Sequence, residues 1–153
     1  MNEIIAFTLT TLFSLLMVVI FLSFFNPAFK SQKESQIINN ALLTFKKLKL
    51  IIDEISSEAV GSKRLYSIEL PRGEVLIQNN SIIYQLELEA LELGNFEKYE
   101  GVYVKNEGSK FEIKVNYTNI IFYGEIPLNS NFCILKERED YEKNFIMIRF
   151  YAC

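Results

Sequence analysis

Ile4-Ile-Ala-Phe-Thr-Leu-Thr-Thr-Leu-Phe-Ser-Leu-Leu-Met-Val-Val-Ile-Phe-Leu-Ser-Phe-Phe25 runs for 22 residues without a charge, a glycine or a proline, and Asn26-Pro27 follow at once. As a helix rising ~1.5 Å per residue, such a run is long enough for the roughly 30 Å of hydrocarbon in a bilayer. A helix buried in a soluble core rarely needs more than about 14 wholly apolar positions. The run therefore reads as a single span, with the lipid bilayer as its first partner. A cleaved secretory signal would have a basic leading region, a shorter core and a small-x-small cleavage site. Here only Met1-Asn2-Glu3 precede the run and Ser23-Phe24-Phe25-Asn26 offers no such site, so the segment is expected to be retained.

Beyond Pro27 the chain turns polar and then resumes an apolar pattern at Ile38, Ala41, Phe45, Leu48, Ile52, Ile55 and Ala59. The spacing alternates three and four, which is the seam of an amphipathic helix. Gly61 stands where a left-handed cap would end it. Two uses of the seam fit the pattern: packing on the chain's own head, or pairing with a neighbour through Ile38, Phe45, Leu48, Ile52 and Ile55. Pro27, which costs a helix one hydrogen bond, implies either one kinked helix of nearly sixty residues or two helices with a break.

From Leu65 the period changes from helical to alternating. Leu65–Leu70, Glu74–Gln78, Ser81–Leu88, Val102–Lys105, Phe111–Tyr117, Ile120–Tyr123, Phe132–Leu135 and Phe145–Phe150 read as short strands. They are separated by turn signals such as Pro71-Arg72-Gly73 and Asn79-Asn80. The expected fold is α+β: an anchor over residues 1–26, an amphipathic helix over 27–61, and a head over 62–153. The head is expected to be an antiparallel β-sandwich or a partly open barrel. The stretch from Glu89 to Gly101 has no clear pattern, and Lys136-Glu-Arg-Glu-Asp140 reads as an exposed loop.

Charge is uneven along the chain. The formal net charge is -3, but residues 30–64 carry an excess of three positive charges and residues 65–153 an excess of five negative ones. A head of that sign lacks the concentrated basic surface that nucleic-acid binding requires. The chain has no His and no Trp, which removes the commonest general base and metal ligand. Glu87, Glu89 and Glu92 invite comparison with a catalytic carboxylate pair, but with nineteen acidic residues a solvated strand face is the simpler reading. No phosphate-binding glycine loop, CxxC, nucleophile elbow or metal-ligand spacing occurs, so no catalytic, cofactor or metal residue is assigned.

Cys133 and Cys153 could close a 20-residue loop, contributing ~3 kcal/mol in an oxidising compartment, or stand as two buried thiols. Asn79-Asn80-Ser81 and Asn116-Tyr117-Thr118 are N-glycosylation sequons if the head lies outside the cell. The lysines after the span (Lys30, Lys33, Lys46, Lys47) favour a cytoplasmic head by the positive-inside rule, whereas a disulfide or a glycan requires an extracytoplasmic one.

An uncharged N-terminal helix with an early acid at Glu3, a proline in its middle at Pro27, an amphipathic second half and a β-rich head resembles the type IV pilin-like proteins. The passage Gly61-Ser-Lys-Arg-Leu-Tyr-Ser-Ile-Glu-Leu-Pro-Arg-Gly73 with Ile77-Gln-Asn-Asn-Ser-Ile-Ile-Tyr84 is similar to the helix-to-hairpin region of small archaeal members (class III signal type) anchored in the envelope. The resemblance implies a non-enzymatic surface or filament subunit whose apolar helices bundle and whose heads face outward. Its partners would be further copies or other pilin-like subunits, and Glu3 would neutralise a neighbour's terminal amine. The sequence departs from the family in the position of Glu3 and in lacking a basic-plus-small processing motif before Ile4. That departure leads to the expectation of a chain starting past the motif or of an unprocessed relative. A bitopic accessory subunit of a secretion, archaellum or membrane-enzyme complex is the alternative.

Overall fold

A computed structural model of the chain describes residues 2–89, 97–99 and 101–153. One helix, α1 (Asn2–Ser57), is followed by nine strands: β1 (Lys63–Ser67), β2 (Glu74–Gln78), β3 (Ser81–Glu87), β4 (Glu97–Tyr99), β5 (Val102–Glu107), β6 (Lys110–Asn116), β7 (Ile120–Gly124), β8 (Asn131–Asp140) and β9 (Phe145–Ala152). The helix is continuous through Pro27, so the alternative of two separate helices is set aside. It ends at Ser57, before Gly61. Gly61, at φ +95°, instead turns the chain into β1, donating its N–H to the Lys136 carbonyl (2.8 Å). Ala59, read as the last member of the seam, lies past the helix and is exposed.

The strands form two sheets, ordered β1-β8-β9-β7 and β2-β3-β6-β5-β4, and neither closes into a barrel. The sheets meet along one side, where β7 contacts β2 and β3. There the Phe122 N–H donates to the Asn79 carbonyl (2.5 Å) and the Tyr117 N–H to that of Asn80 (2.9 Å). Across from this junction, α1 contacts β1 and β8 of one sheet and β5 and β6 of the other. The second half of the helix is thus a third wall of the core. Six seam residues, Ile38, Ala41, Phe45, Leu48, Ile52 and Ile55, are buried against the head, and Phe45 packs on Tyr84 with ring centroids 5.6 Å apart. At ~1.5–3 kcal/mol per large apolar side chain, this row is the main force fixing the helix to the sheets.

The antiparallel head expected from the alternation is present with one exception, and one further expectation fails. The sheets are not wholly antiparallel, because β7 runs parallel to β9, with β9 inserted between β7 and β8. Gly124 makes that pairing feasible: it lies opposite Phe150 at φ +100°, and a Cβ there would collide with the Phe150 carbonyl. The charged segment Lys136–Asp140 is not a loop but the second half of β8, paired to β9 across an irregularity between Lys136 and Arg138. Alternation of charge there reflects a strand leaving the core, not a solvated connection. Strand β4 falls in the patternless stretch, and Glu92 lies outside the described residues.

Tyrosines from both sheets hold the helix. Tyr66 donates to the Thr44 carbonyl (3.0 Å) and Tyr117 to Asp53 Oδ1 (2.7 Å), while Tyr84 reaches the Arg72 carbonyl (2.6 Å) and fixes the turn before β2. Burial raises all three phenols above their ordinary range near 10. Tyr84 is pushed up to about 12 by burial, against the opposing pull of Arg72. For Tyr117 burial is the largest cause, followed by the hydrogen bond to and the negative charge of Asp53. A phenol raised in the fold keeps its proton while the unfolded chain loses it, so its contribution is complete below about pH 10 and is lost as pH rises through the folded value. Unfolding of the full chain in detergent, followed from about pH 8 to about pH 12, should show stability falling with pH above about 10. Tyr84→Phe should make that fall shallower by up to ~1.4 kcal/mol per pH unit.

Candidate membrane and assembly surface

The head fully buries residues of α1 only from Glu34 onward. Residues 3–26 have exposed side chains, including Ile4, Phe7, Phe13, Phe21 and Phe24, and no part of the most apolar window is buried. By length and composition this helix can cross a membrane. The hydroxyls in the run do not undermine that property: Thr8, Thr10, Thr11 and Ser23 donate to carbonyls three or four residues earlier in the same helix. Glu3 lies in the first helical turn, where a negative charge is favoured by the helix dipole.

The seam residues Ile38, Phe45, Leu48, Ile52 and Ile55 cannot serve as an assembly surface. Their side chains are at most 6% exposed because the chain's own sheets cover them, leaving no area for a neighbour. What remains open on the second half of α1 is the opposite face, where Leu43 and Leu50 are 57% and 61% exposed.

Two buried charged residues couple this helix to the head, and sequence reasoning singled out neither. Glu34 is 4% exposed; one carboxylate oxygen accepts from Arg72 Nη2 (3.1 Å) and from the Glu89 backbone N–H (2.8 Å). It lies nine residues past Phe25, so the head begins ~13 Å beyond the apolar run. Lys136, 1% exposed, donates to the Ser56 carbonyl (2.8 Å), the Glu58 carbonyl (2.7 Å) and Glu139 Oε2 (2.6 Å). Its ammonium therefore closes the C-terminal end of α1, where carbonyls lack helical partners. A signal existed for Lys136: it continues the inward-facing alternation of Phe132 and Ile134. The run of charges around it concealed that period.

Cys133 and Cys153 form a disulfide with Cα atoms 5.5 Å apart, tying the last residue to β8. The sequon residues Asn79 and Asn116 are both exposed, at the end of the head where the Ser81–Asn116 register brings the two sequons together. Ser81 is buried with its hydroxyl turned to the Gln78 carbonyl, whereas Thr118 is exposed, so the second sequon is the more accessible. Glu87 and Glu89, weighed as a carboxylate pair, both border one open groove, and nothing there sets them apart as an acid and a base. Glu89 also meets Lys30 (3.2 Å), and the groove, of about 660 Å³, lies on the outer face of the second sheet. That groove is lined by side chains of both signs, among them Glu74, Glu112, Lys105 and Lys110, and no cluster of metal-binding side chains occurs among the described residues.

Comparison with protein-family models, curated proteins and solved structures finds no match to this chain.

Replacing Lys136 with Met keeps the volume of the stem but leaves Glu139 and two helix-end carbonyls without their donor. A loss of about 2–4 kcal/mol is expected in denaturant unfolding of the full chain in detergent. Glu137→Gln, which removes only a long, exposed contact to Arg149 (3.8 Å), should stay within about 0.5 kcal/mol.

Proposed function

We propose that this protein is a non-enzymatic, single-pass membrane-anchored surface subunit of the type IV pilin-like kind. Its bare half-helix anchors it in the bilayer or bundles with neighbours, and its β head is displayed outside the membrane. One observation carries the reading: 22 consecutive uncharged residues project from the head with no intramolecular cover. That much apolar surface is stable only in lipid or against similar helices. Ala6, Thr10 and Ser14 recur at intervals of four within it, a spacing that permits close helix approach. The continuous helix, clamped at Glu34 and Lys136, then holds the head at a fixed distance from the membrane or filament core.

The Cys133–Cys153 disulfide supports an extracytoplasmic head, because such bonds persist in oxidising compartments. It weighs against the positive-inside count of Lys30, Lys33, Lys46 and Lys47, which export machinery can override. A bitopic accessory subunit would share the anchor and the disulfide but keep a constant stoichiometry with unrelated membrane proteins.

Fractionation of expressing cells tests the anchor. The chain should stay in the membrane pellet through alkaline extraction and be released by detergent. Leu15→Lys, adding ~2.5–3.5 kcal/mol of insertion cost at the centre of the span, should shift it substantially out of that pellet. Recovery of the unaltered chain as a soluble monomer after alkaline extraction would contradict the anchor.

A further inference from the structure

The outer face of the first sheet is turned away from α1 and the core. Alternation sends Phe132 and Ile134 of β8 and Ile148 and Phe150 of β9 inward, so Leu135, Arg149 and Tyr151 point out. By register, Lys63, Leu135, Arg149 and Tyr123 stand side by side in one row across all four strands. Leu65 and Ile121, 63% and 37% exposed, flank that row on the two edge strands. The acids lie at its margins. Glu137 is 3.8 Å from Arg149, Asp140 accepts from the Glu142 and Lys143 N–H groups of its own turn, and Glu125 follows the end of β7.

Aromatic rings hold the two cations of the row. Lys63 Nζ lies 5.2 Å from the centre of the Tyr151 ring, and the Arg149 guanidinium lies 5.8 Å from that ring and 6.0 Å from the Tyr123 ring. A cation resting on a ring is positioned without being neutralised, whereas one in a close ion pair has spent its charge on a carboxylate. Lys63 forms no ion pair among the described residues, and Arg149 forms only the long one to Glu137. The two cations stand two strand spacings apart, ~10 Å.

We infer that this face binds an acidic polysaccharide, an extended chain of sugars carrying carboxylates at intervals. Two carboxylates meet Lys63 and Arg149, and the apolar faces of the sugar rings lie against Leu65, Leu135 and the two tyrosines. Three observations select this occupant. The face is an open sheet surface, which suits an extended ligand better than a small one that needs enclosure. Both central strands, β8 and β9, are paired on each side, so the face offers a peptide no backbone to add onto. The cations are few, widely spaced and set in a chain whose residues 65–153 carry an excess of five negative charges. That balance matches a sparsely charged polymer, whereas the dense phosphates of a nucleic acid would be repelled by the rest of the head.

The row also lies at the reachable end of the head. Lys136, next to Leu135 in β8, bonds to the Ser56 carbonyl at the end of α1 farthest from the apolar run. The inference rests on the displayed head proposed above only for access from outside; the contact itself belongs to the purified chain, whichever side of the membrane the head occupies. Binding by the purified chain together with a cytoplasmic head would therefore overturn the display and leave the contact standing.

Fluorescence anisotropy of a labelled oligogalacturonate, titrated with the full chain in neutral detergent, tests the contact. The expected result is a saturable rise that weakens with added salt and is competed by unlabelled oligogalacturonate but not by neutral dextran fragments. Lys63→Gln with Arg149→Gln, both at exposed positions, should weaken binding at least tenfold, and Tyr151→Ala several-fold by releasing both cations from their ring. Lys105→Gln with Lys114→Gln, on the other sheet, should change it less than twofold. The inference is overturned if no saturable binding occurs, if the two double variants lose affinity equally, or if dextran competes as well as the acidic sugar. It is overturned equally if a thymidine oligonucleotide or phosphatidylglycerol vesicles compete more strongly than oligogalacturonate, since the face would then serve a nucleic acid or a lipid surface.

Discussion

The structure depends on one helix being used in two incompatible solvents along its length. Between Ile38 and Ile55 its apolar row is consumed by two sheets that meet at β7 and β2 and diverge toward the helix. Between Ile4 and Phe25 the same helix is apolar all round and meets nothing in the chain. Without the helix, the inward faces of both sheets would lose their third wall. Without something to cover its first half, the helix would expose more apolar surface than a soluble protein of this size tolerates. The head and the bare helix are therefore mechanically one piece.

The rigidity of that piece comes from polar groups placed where apolar packing ends. Glu34 ties the lower end of the buried stretch to Arg72 and to the backbone at Glu89, and Lys136 ties the upper end through the last carbonyls of α1. Tyr66 and Tyr117 bond to the helix from opposite sheets between these two points. Buried charges of this kind add little net stability when complete and cost much when broken, so they act to fix register more than to add strength. A slip of the helix by one turn would part Glu34 from Arg72 and Lys136 from the Ser56 and Glu58 carbonyls, leaving Lys136 only its Glu139 contact.

Much of this was legible in the sequence because the signals are periodic. The uncharged run, the three-and-four spacing from Ile38 to Ile55, and the alternation from Leu65 onward each reflect one face meeting one environment, and the helix and most strands fall where the period places them. What was not legible lacked a local period or was hidden by charge. Lys136 looked like part of a solvated run because its burial depends on the end of a helix roughly eighty residues earlier in the chain. The parallel pairing of β7 with β9 is a matter of strand order, which alternation does not encode. For the assembly surface, a seam read from one strand of sequence cannot say whose surface covers it. The sheets cover it here.

The most direct test of the account is the location and state of the cysteine pair in intact cells. A membrane-impermeant thiol reagent, applied with and without prior reduction and read out on the peptide bearing Cys153, reports both at once. An anchored subunit with an exposed head should be labelled only after reduction, without lysis. Labelling that requires lysis but no reductant would place the head in the cytoplasm with free thiols, contradicting the surface-subunit account.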